Sequence, residues 1–380
     1  MIGRALVASA LALQVPLVPS IAKAVACDPA RGTMEIGESW AQKRLDPKRV
    51  WPLSTGAGVK VAVIDTGVDL DHPQIRLGGK ADLVGSGYRD CVGHGTAVAG
   101  IIGAQYMRGV LFYGMAPGAT LLSYKFTDTE RDADTRLLIK GIKAAADHGA
   151  KVINVSSKTF AHSELEAAVQ YALAKDAVIV AAAGNVTNED GVPSPAYPAS
   201  YEGVLAVGAA GPNGTLAEFS NTKTPVSVIG PGENVTSTWA GRAYNKELDG
   251  TSYAAPYVAG VAALVRARYP KLDQAQIRQR IIATADGATG AGKGAGMVNP
   301  LLAVSAILPN EPANAPVVAP PPPSPLPASA ITHAPPVDQD AIDLAVLIAG
   351  CALGLALLLT VIRAVVPMGQ RRGWRPGRSE

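Results

Sequence analysis

Three short motifs supply side chains that could act together on one bond. Val63-Ile64-Asp65-Thr66-Gly67 ends an apolar run in a carboxylate. Gly93-His94-Gly95-Thr96-Ala97-Val98 opens a stretch of small residues with an imidazole. Gly250-Thr251-Ser252-Tyr253-Ala254-Ala255-Pro256 opens another with a hydroxyl. A serine hydroxyl is a poor nucleophile near neutral pH until a base removes its proton. His94 titrates in the right range to be that base, and Asp65 could hold its tautomer and stabilise the imidazolium. A fourth stretch, Ala181-Ala182-Ala183-Gly184-Asn185, runs from an apolar segment into a turn. The Asn185 amide could donate to a developing oxyanion; the alternative is a plain turn residue. Ser252 at a helix start would add free backbone N–H groups and the positive end of the helix dipole.

These groups need a frame. Apolar, β-rich runs at 59–64, 119–126, 151–156, 177–182 and 204–209 alternate with helical stretches such as 135–148 and 163–175. Near-continuous apolar strands between helices predict a mainly parallel sheet covered on both faces, an α/β fold in three layers. In such sheets sites gather at the carboxyl ends of the strands. Two later helices are expected at 252–269 and 273–284, with Pro256 tolerated in the first turn of the former.

Composition narrows the classes. A net charge of +3 over 380 residues and 5% aromatics speak against a nucleic-acid partner. No His-Glu-x-x-His or paired-Cys spacing marks a metal site, and no cofactor motif is present. His72 and His148 read as surface or turn histidines, and Asp69 and Asp71 as turn residues. Asp65-Thr66-Gly67 is also the aspartic-protease tripeptide, but that chemistry needs two such carboxylates, and no second copy occurs.

The ends speak of export. Residues 1–26 have a charged start, an apolar run and small residues up to Ala26, which predicts a secretory signal peptide. An uncleaved anchor is the alternative; a lipoprotein reading of Cys27 is disfavoured by Ala24. Residues 309–341 form a Pro-rich stalk containing Pro320-Pro321-Pro322-Pro323. An apolar run at 344–362 predicts a transmembrane helix at 342–366. Arg363, Arg371, Arg372, Arg375 and Arg378 follow it, whereas Asp338, Asp340 and Asp343 flank its other end. The positive-inside rule puts the tail, 367–380, in the cytoplasm and the rest outside a cell membrane crossed once. Between the ends lie an extension, 27–50, and a catalytic domain, 51–308.

The order Asp65…His94…Ser252, with the residues around each, resembles the subtilisin-like serine proteases, and among them the mycosins of type VII secretion. Val50-Trp51-Pro52-Leu53, Asp90-Cys91-Val92-Gly93-His94 and Thr251-Ser252-Tyr253-Ala254-Ala255-Pro256-Tyr257-Val258 carry the closer likeness. The resemblance implies a subtilisin-like fold and an Asp65–His94–Ser252 triad with Asn185 as oxyanion donor. It also implies that Val155, Ser156 and Ser157 bind an extended peptide or protein substrate, and that a type VII secretion membrane complex is a partner. A mainly structural role in that complex is the second reading.

The chain departs from the family in places. Gln74 follows His72-Pro73 where many subtilisins carry a calcium-binding Asp, and the loop 105–110 has no carboxylate. Lys158 stands where many relatives have Gly. Of the three cysteines, Cys351 lies in the apolar span, which leaves Cys27 and Cys91 in the exported part. Disulfides persist there, so a Cys27–Cys91 bridge is expected, against two free thiols or a lipidated Cys27.

Overall fold

A computed structural model describes residues 27–129, 133–186, 193–287, 290–309, 311 and 339–373. The expected signal peptide, nearly all of the stalk and residues 374–380 lie outside the described residues. The chain divides into two units, Met1–Ala315 and Pro316–Glu380.

The first unit opens with two short helices, α1 (Trp40–Leu45) and α2 (Pro47–Val50). Then follow β1 (Lys60–Asp65), β2 (Leu77–Asp82), α3 (His94–Gly103), β3 (Thr120–Lys125), α4 (Thr135–Asp147), β4 (Val152–Val155), α5 (Ser163–Ala174), β5 (Val178–Ala182), β6 (Leu205–Ala210) and β7 (Val228–Pro231). A hairpin of β8 (Val235–Trp239) and β9 (Ala243–Leu248) leads into α6 (Thr251–Arg268), α7 (Gln274–Ala283) and α8 (Pro300–Ser305). The second unit contributes α9 (Gln339–Arg371).

Seven parallel strands form one sheet in the order β2-β3-β1-β4-β5-β6-β7. Side chains alternate between two cores, as a pleated strand requires. Val61 and Val63 enter one apolar cluster and Ala62 and Ile64 the other; Val178 and Val180 are likewise separated from Ile179 and Ala181. One core is closed by α3 and α6, the other by α4 and α5. The three-layer α/β fold expected from the apolar runs is the fold observed.

Two elements serve the site directly. The first is α6, buried along most of its length and rich in Ala, with Gly260 at its middle, which lets it cross the sheet closely. A side chain at Gly260 would stand 2.5 Å from Met115 Cβ. Pro256 is the sixth residue of α6, beyond the first turn expected for it. The second is the strand order. β1, β4 and β5 are neighbours, so their carboxyl ends bring Asp65, the 156–158 segment and Asn185 side by side.

The extension is part of this fold. Thr33 and Tyr244 exchange two backbone hydrogen bonds of 2.8 Å, which adds a strand position to the hairpin. Trp239 Nε1 donates to Ala30 O at 2.7 Å. In the second unit, α9 runs for 33 residues with a mean hydropathy of 2.7 over its apolar window, long enough to cross a membrane. It starts and ends outside the expected 342–366, because neither the polar start at Gln339-Asp340 nor Pro367 ends the helix.

Candidate active site

Asp65 is the last residue of β1 and 4% exposed. Its Oδ1 accepts from Thr66 N at 2.8 Å and lies 2.7 Å from His94 Nδ1. His94 is the first residue of α3. A carboxylate on Nδ1 leaves Nε2 as the basic nitrogen. Ser252 occupies the second position of α6, and the Tyr253 ring stacks obliquely on His94 with centroids 5.1 Å apart.

Asn185 follows the turn after β5, at Gly184, whose φ is +88°. Its Oδ1 accepts from Thr251 N at 3.0 Å and Thr251 Oγ1 at 2.8 Å. With the oxygen held there, the amide nitrogen is the end left for a ligand. A Cβ at Gly250 would stand 2.9 Å from Ser252 Oγ and 3.3 Å from Asn185 Nδ2, so hydroxyl and amide flank the same bare glycine. The Ser252 N–H belongs to the first-turn donors that a helix cannot bond itself. One cleft of about 290 Å³ is lined by Asp65, His94, Asn185 and Ser252 together with Ser156, Ser157 and Lys158. Lys158 Nζ donates to Asn185 O at 2.9 Å.

The Val155 side chain is fully buried in the core between β1 and β5, on the inward beat of β4, and does not line the cleft, which leaves the backbone of this segment as the part that could pair with an extended substrate. Ser156 borders the cleft, and its hydroxyl donates to Ser252 O at 2.7 Å. His72 takes the turn alternative rather than the surface one: it is 2% exposed, its N–H donates to Asp69 O and its carbonyl accepts from Ile75 N. Its ring bridges Gln74 N, at 3.3 Å from Nδ1, and Ala243 O, at 3.0 Å from Nε2. His148 is exposed after α4, as expected, and hydrogen-bonds the Tyr124 hydroxyl at 2.7 Å.

The sequence reading missed Asp90. This carboxylate is 4% exposed and ties the turn after β1 to the start of α3. Its oxygens accept from Thr66 Oγ1 (2.9 Å), Val92 N (3.0 Å), Gly93 N (2.8 Å), Thr96 N (2.8 Å) and Thr96 Oγ1 (2.6 Å). Burial raises its pKa, and these hydrogen bonds oppose the rise. A signal was available: an acid shortly before a helix start favours the free N–H groups there.

Cys27 and Cys91 form the expected disulfide, with Cα atoms 4.6 Å apart. Gly93, next to His94, has a φ of +99°, and a Cβ there would meet Trp239 Cε2 at 2.4 Å. The extension, Trp239 and the start of α3 thus pack in series. At the position of the family's calcium ligand, Gln74 is fully buried. Its Nε2 donates to Gln105 O and Phe112 O, both at 2.8 Å, and its Oε1 accepts from Tyr244 at 2.6 Å. An amide donor occupies the point on which these loop carbonyls converge. Among the described residues no group of three or more His, Cys, Asp or Glu is arranged to hold a metal ion.

The family model described as Peptidase_S8, subtilase family, matches residues 56–300. The chain belongs to the subtilase family. Mycosin-1 of Mycolicibacterium smegmatis is 36% identical over 379 residues, covering 84% of this chain and 82% of that protein. A thermostable alkaline protease of Halalkalibacterium halodurans is 44% identical over 234 residues, 60% of this chain. The chain spans only 63% of that protease's length. Among solved structures, MycP1 with its N-terminal propeptide removed aligns with a TM-score of 0.67 at 35% identity, over 73% of this chain and 99% of that one. MycP3, a protease from the type VII (ESX-3) secretion system, aligns with a TM-score of 0.63 at 35% identity, over 74% and 95%. This subtilase is of the mycosin type, and the likeness extends beyond the catalytic domain shared with the alkaline protease.

Proposed function

We propose that this mycosin-type subtilase is a membrane-anchored serine endopeptidase that cuts protein substrates outside the cytoplasm, in association with a type VII secretion complex. The observation that carries the reading is the 2.7 Å contact between Asp65 and His94 in the cleft that also holds Ser252 and Asn185. Ser252 Oγ attacks the peptide carbonyl and passes its proton to His94 Nε2. The imidazolium keeps its Nδ1–H on Asp65. The Asn185 amide and the Ser252 N–H receive the oxyanion. His94 then protonates the leaving amine, and water hydrolyses the acyl-enzyme by the reverse path. Ser157 and Lys158 border the cleft as the segment that meets an extended substrate. α9 serves as the anchor, and the arginines beyond it keep the tail in the cytoplasm.

Fluorophosphonate labelling of the full chain tests the reading. Labelling is expected in the wild type and absent in Ser252→Ala. A folded wild type that does not label would favour the second reading, a structural component of a secretion complex. That reading draws support from one relative, a MycP1 structure described as an essential component of the type VII (ESX-1) secretion system.

A further inference from the structure

The helix that carries the nucleophile lacks one of its own hydrogen bonds. Pro256 lies inside α6, four residues after Ser252. Proline has no N–H, so the helical bond that would end on the Ser252 carbonyl cannot form. A buried carbonyl deprived of a donor is costly. The donor comes from the segment just after β4: Ser156 Oγ reaches Ser252 O at 2.7 Å. The direction of that hydroxyl is set from behind, where Asn154 Nδ2 donates to Ser156 Oγ at 2.8 Å. A hydroxyl has one hydrogen. Because its oxygen accepts from Asn154, the hydrogen is directed to Ser252 O. Asn154 is fully buried and fixed in the middle of β4, in register with Val63 of β1 and Val180 of β5. A line of contacts therefore runs from the centre of the sheet to the backbone of the nucleophile.

We propose that Ser156 is a positioning residue for Ser252. Its hydroxyl replaces the helical bond that Pro256 deletes and holds the first turn of α6 against the end of β4. The proposal rests on the proteolytic reading above. It assigns the Ser156 side chain to the nucleophile's side of the cleft. Misplacement of a reacting group by about 1 Å costs up to about 100-fold in rate, so a looser first turn acts on turnover more than on substrate affinity.

The test uses the full chain, with turnover of labelled casein and fluorophosphonate labelling as readouts. Ser156→Ala is expected to lower kcat about ten- to a hundredfold, with KM changed by less than about threefold. Ser156→Thr keeps the hydroxyl and is expected to lose less. Pro256→Ala restores the missing N–H; added to Ser156→Ala, it is expected to recover most of the lost kcat and of any fall in thermal midpoint. A Ser156→Ala variant with raised KM and unchanged kcat would return Ser156 to substrate binding and overturn the proposal. A double variant no better than Ser156→Ala would overturn it as well. A wild type that neither hydrolyses casein nor labels would sink the proteolytic reading instead. The thermal midpoints of the two single variants and the double variant would then decide the helix bond alone, and purely additive losses would reject it.

Discussion

The two sides of the catalytic cleft are held by different forces. On the Asp65–His94 side the loop before α3 is fixed by charge and by a covalent bond. Asp90 gathers five donors, Cys91 is bridged to Cys27, and the buried Lys125 ammonium holds Arg89 O and the Asp128 carboxylate, both at 2.7 Å. The Ser252–Asn185 side is held mainly by neutral hydrogen bonds, from Thr251 to Asn185, from Ser156 to Ser252 and from Asn154 to Ser156. In the proposed mechanism, the side that would carry a carboxylate–imidazolium pair during turnover is thus pinned by charge. The side that would present an uncharged nucleophile and its donors is pinned by bonds that cost little to desolvate. A lost neutral bond removes about 1 kcal/mol, whereas a deleted buried carboxylate leaves several donors without an acceptor.

The largest expected effect is on the base. His94→Ala should lower kcat/KM by about 10⁴-fold or more with the fold retained, since only the imidazole converts Ser252 into a nucleophile. Circular dichroism and casein turnover check both halves of that statement. Next comes the bridge on the same side. The Cys27–Cys91 loop spans a sequence separation of 64. The chain-entropy model gives about 4 kcal/mol for closing such a loop. The Cys27→Ser/Cys91→Ser variant should therefore lose up to that amount in urea unfolding, and added reductant should destabilise the wild type but not the variant. On the opposite side, Asn185→Ala should reduce kcat by about 10²–10³, a magnitude that comes from the corresponding donor in subtilisin itself, a relative. KM should change little, because an oxyanion donor acts in the transition state. A pure KM effect would remove Asn185 from that role.

Asp90→Asn tests the contrast between the two sides. The amide offers one acceptor oxygen and turns an N–H₂ group toward donors that now face a carboxylate. We expect a loss of about 1–3 kcal/mol in stability together with a fall in kcat, because Thr66 and the start of α3 lose their common acceptor. A fully stable and fully active variant would show that charge is not what holds the Asp65–His94 side.

Much of this site was legible because its residues sit where the chain changes pattern. Asp65 ends an apolar strand, and His94 and Ser252 open helices rich in small residues. What was hidden depends on distant partners. The bond from Ser156 to Ser252 O cannot be read until α6 is placed beside β4 with Pro256 at the sixth position. Val155 cannot be separated from its neighbours at 156 and 157 until the beat of β4 is known. β2, Leu-Gly-Gly-Lys-Ala-Asp, has no apolar run because it is an edge strand bonded on one side to β3. In β8, Ser237 and Thr238 carry no apolar signal, yet both are fully buried, and their hydroxyls donate to Ala97 O and Thr96 O near the start of α3.

His72 sharpens the comparison from within the charged side, where it is a buried group that stays neutral. Its Nδ1 accepts from Gln74 N, so its hydrogen lies on Nε2 and is donated to Ala243 O in β9, beside the strand position added by the extension. Protonation would put a second N–H against Gln74 N. Burial lowers the His72 pKa from its ordinary value of 6.5, and the Ala243 carbonyl and the Asp69 charge only partly offset this. Above pH 6.5 the ring is neutral in both the folded and the unfolded chain, and the full stability is present. Below it the unfolded chain binds a proton that the folded chain refuses, so stability falls with pH by up to roughly 1.4 kcal/mol per unit until the lowered folded pKa is reached. Urea midpoints measured from about pH 8 down to about pH 5 should show that fall in the wild type. The fall should be shallower in His72→Gln, whose amide can make both hydrogen bonds without titrating. Equal slopes in the two proteins would mean that His72 takes its proton in the folded state, and that the turn end of the hairpin tolerates a charge beside it.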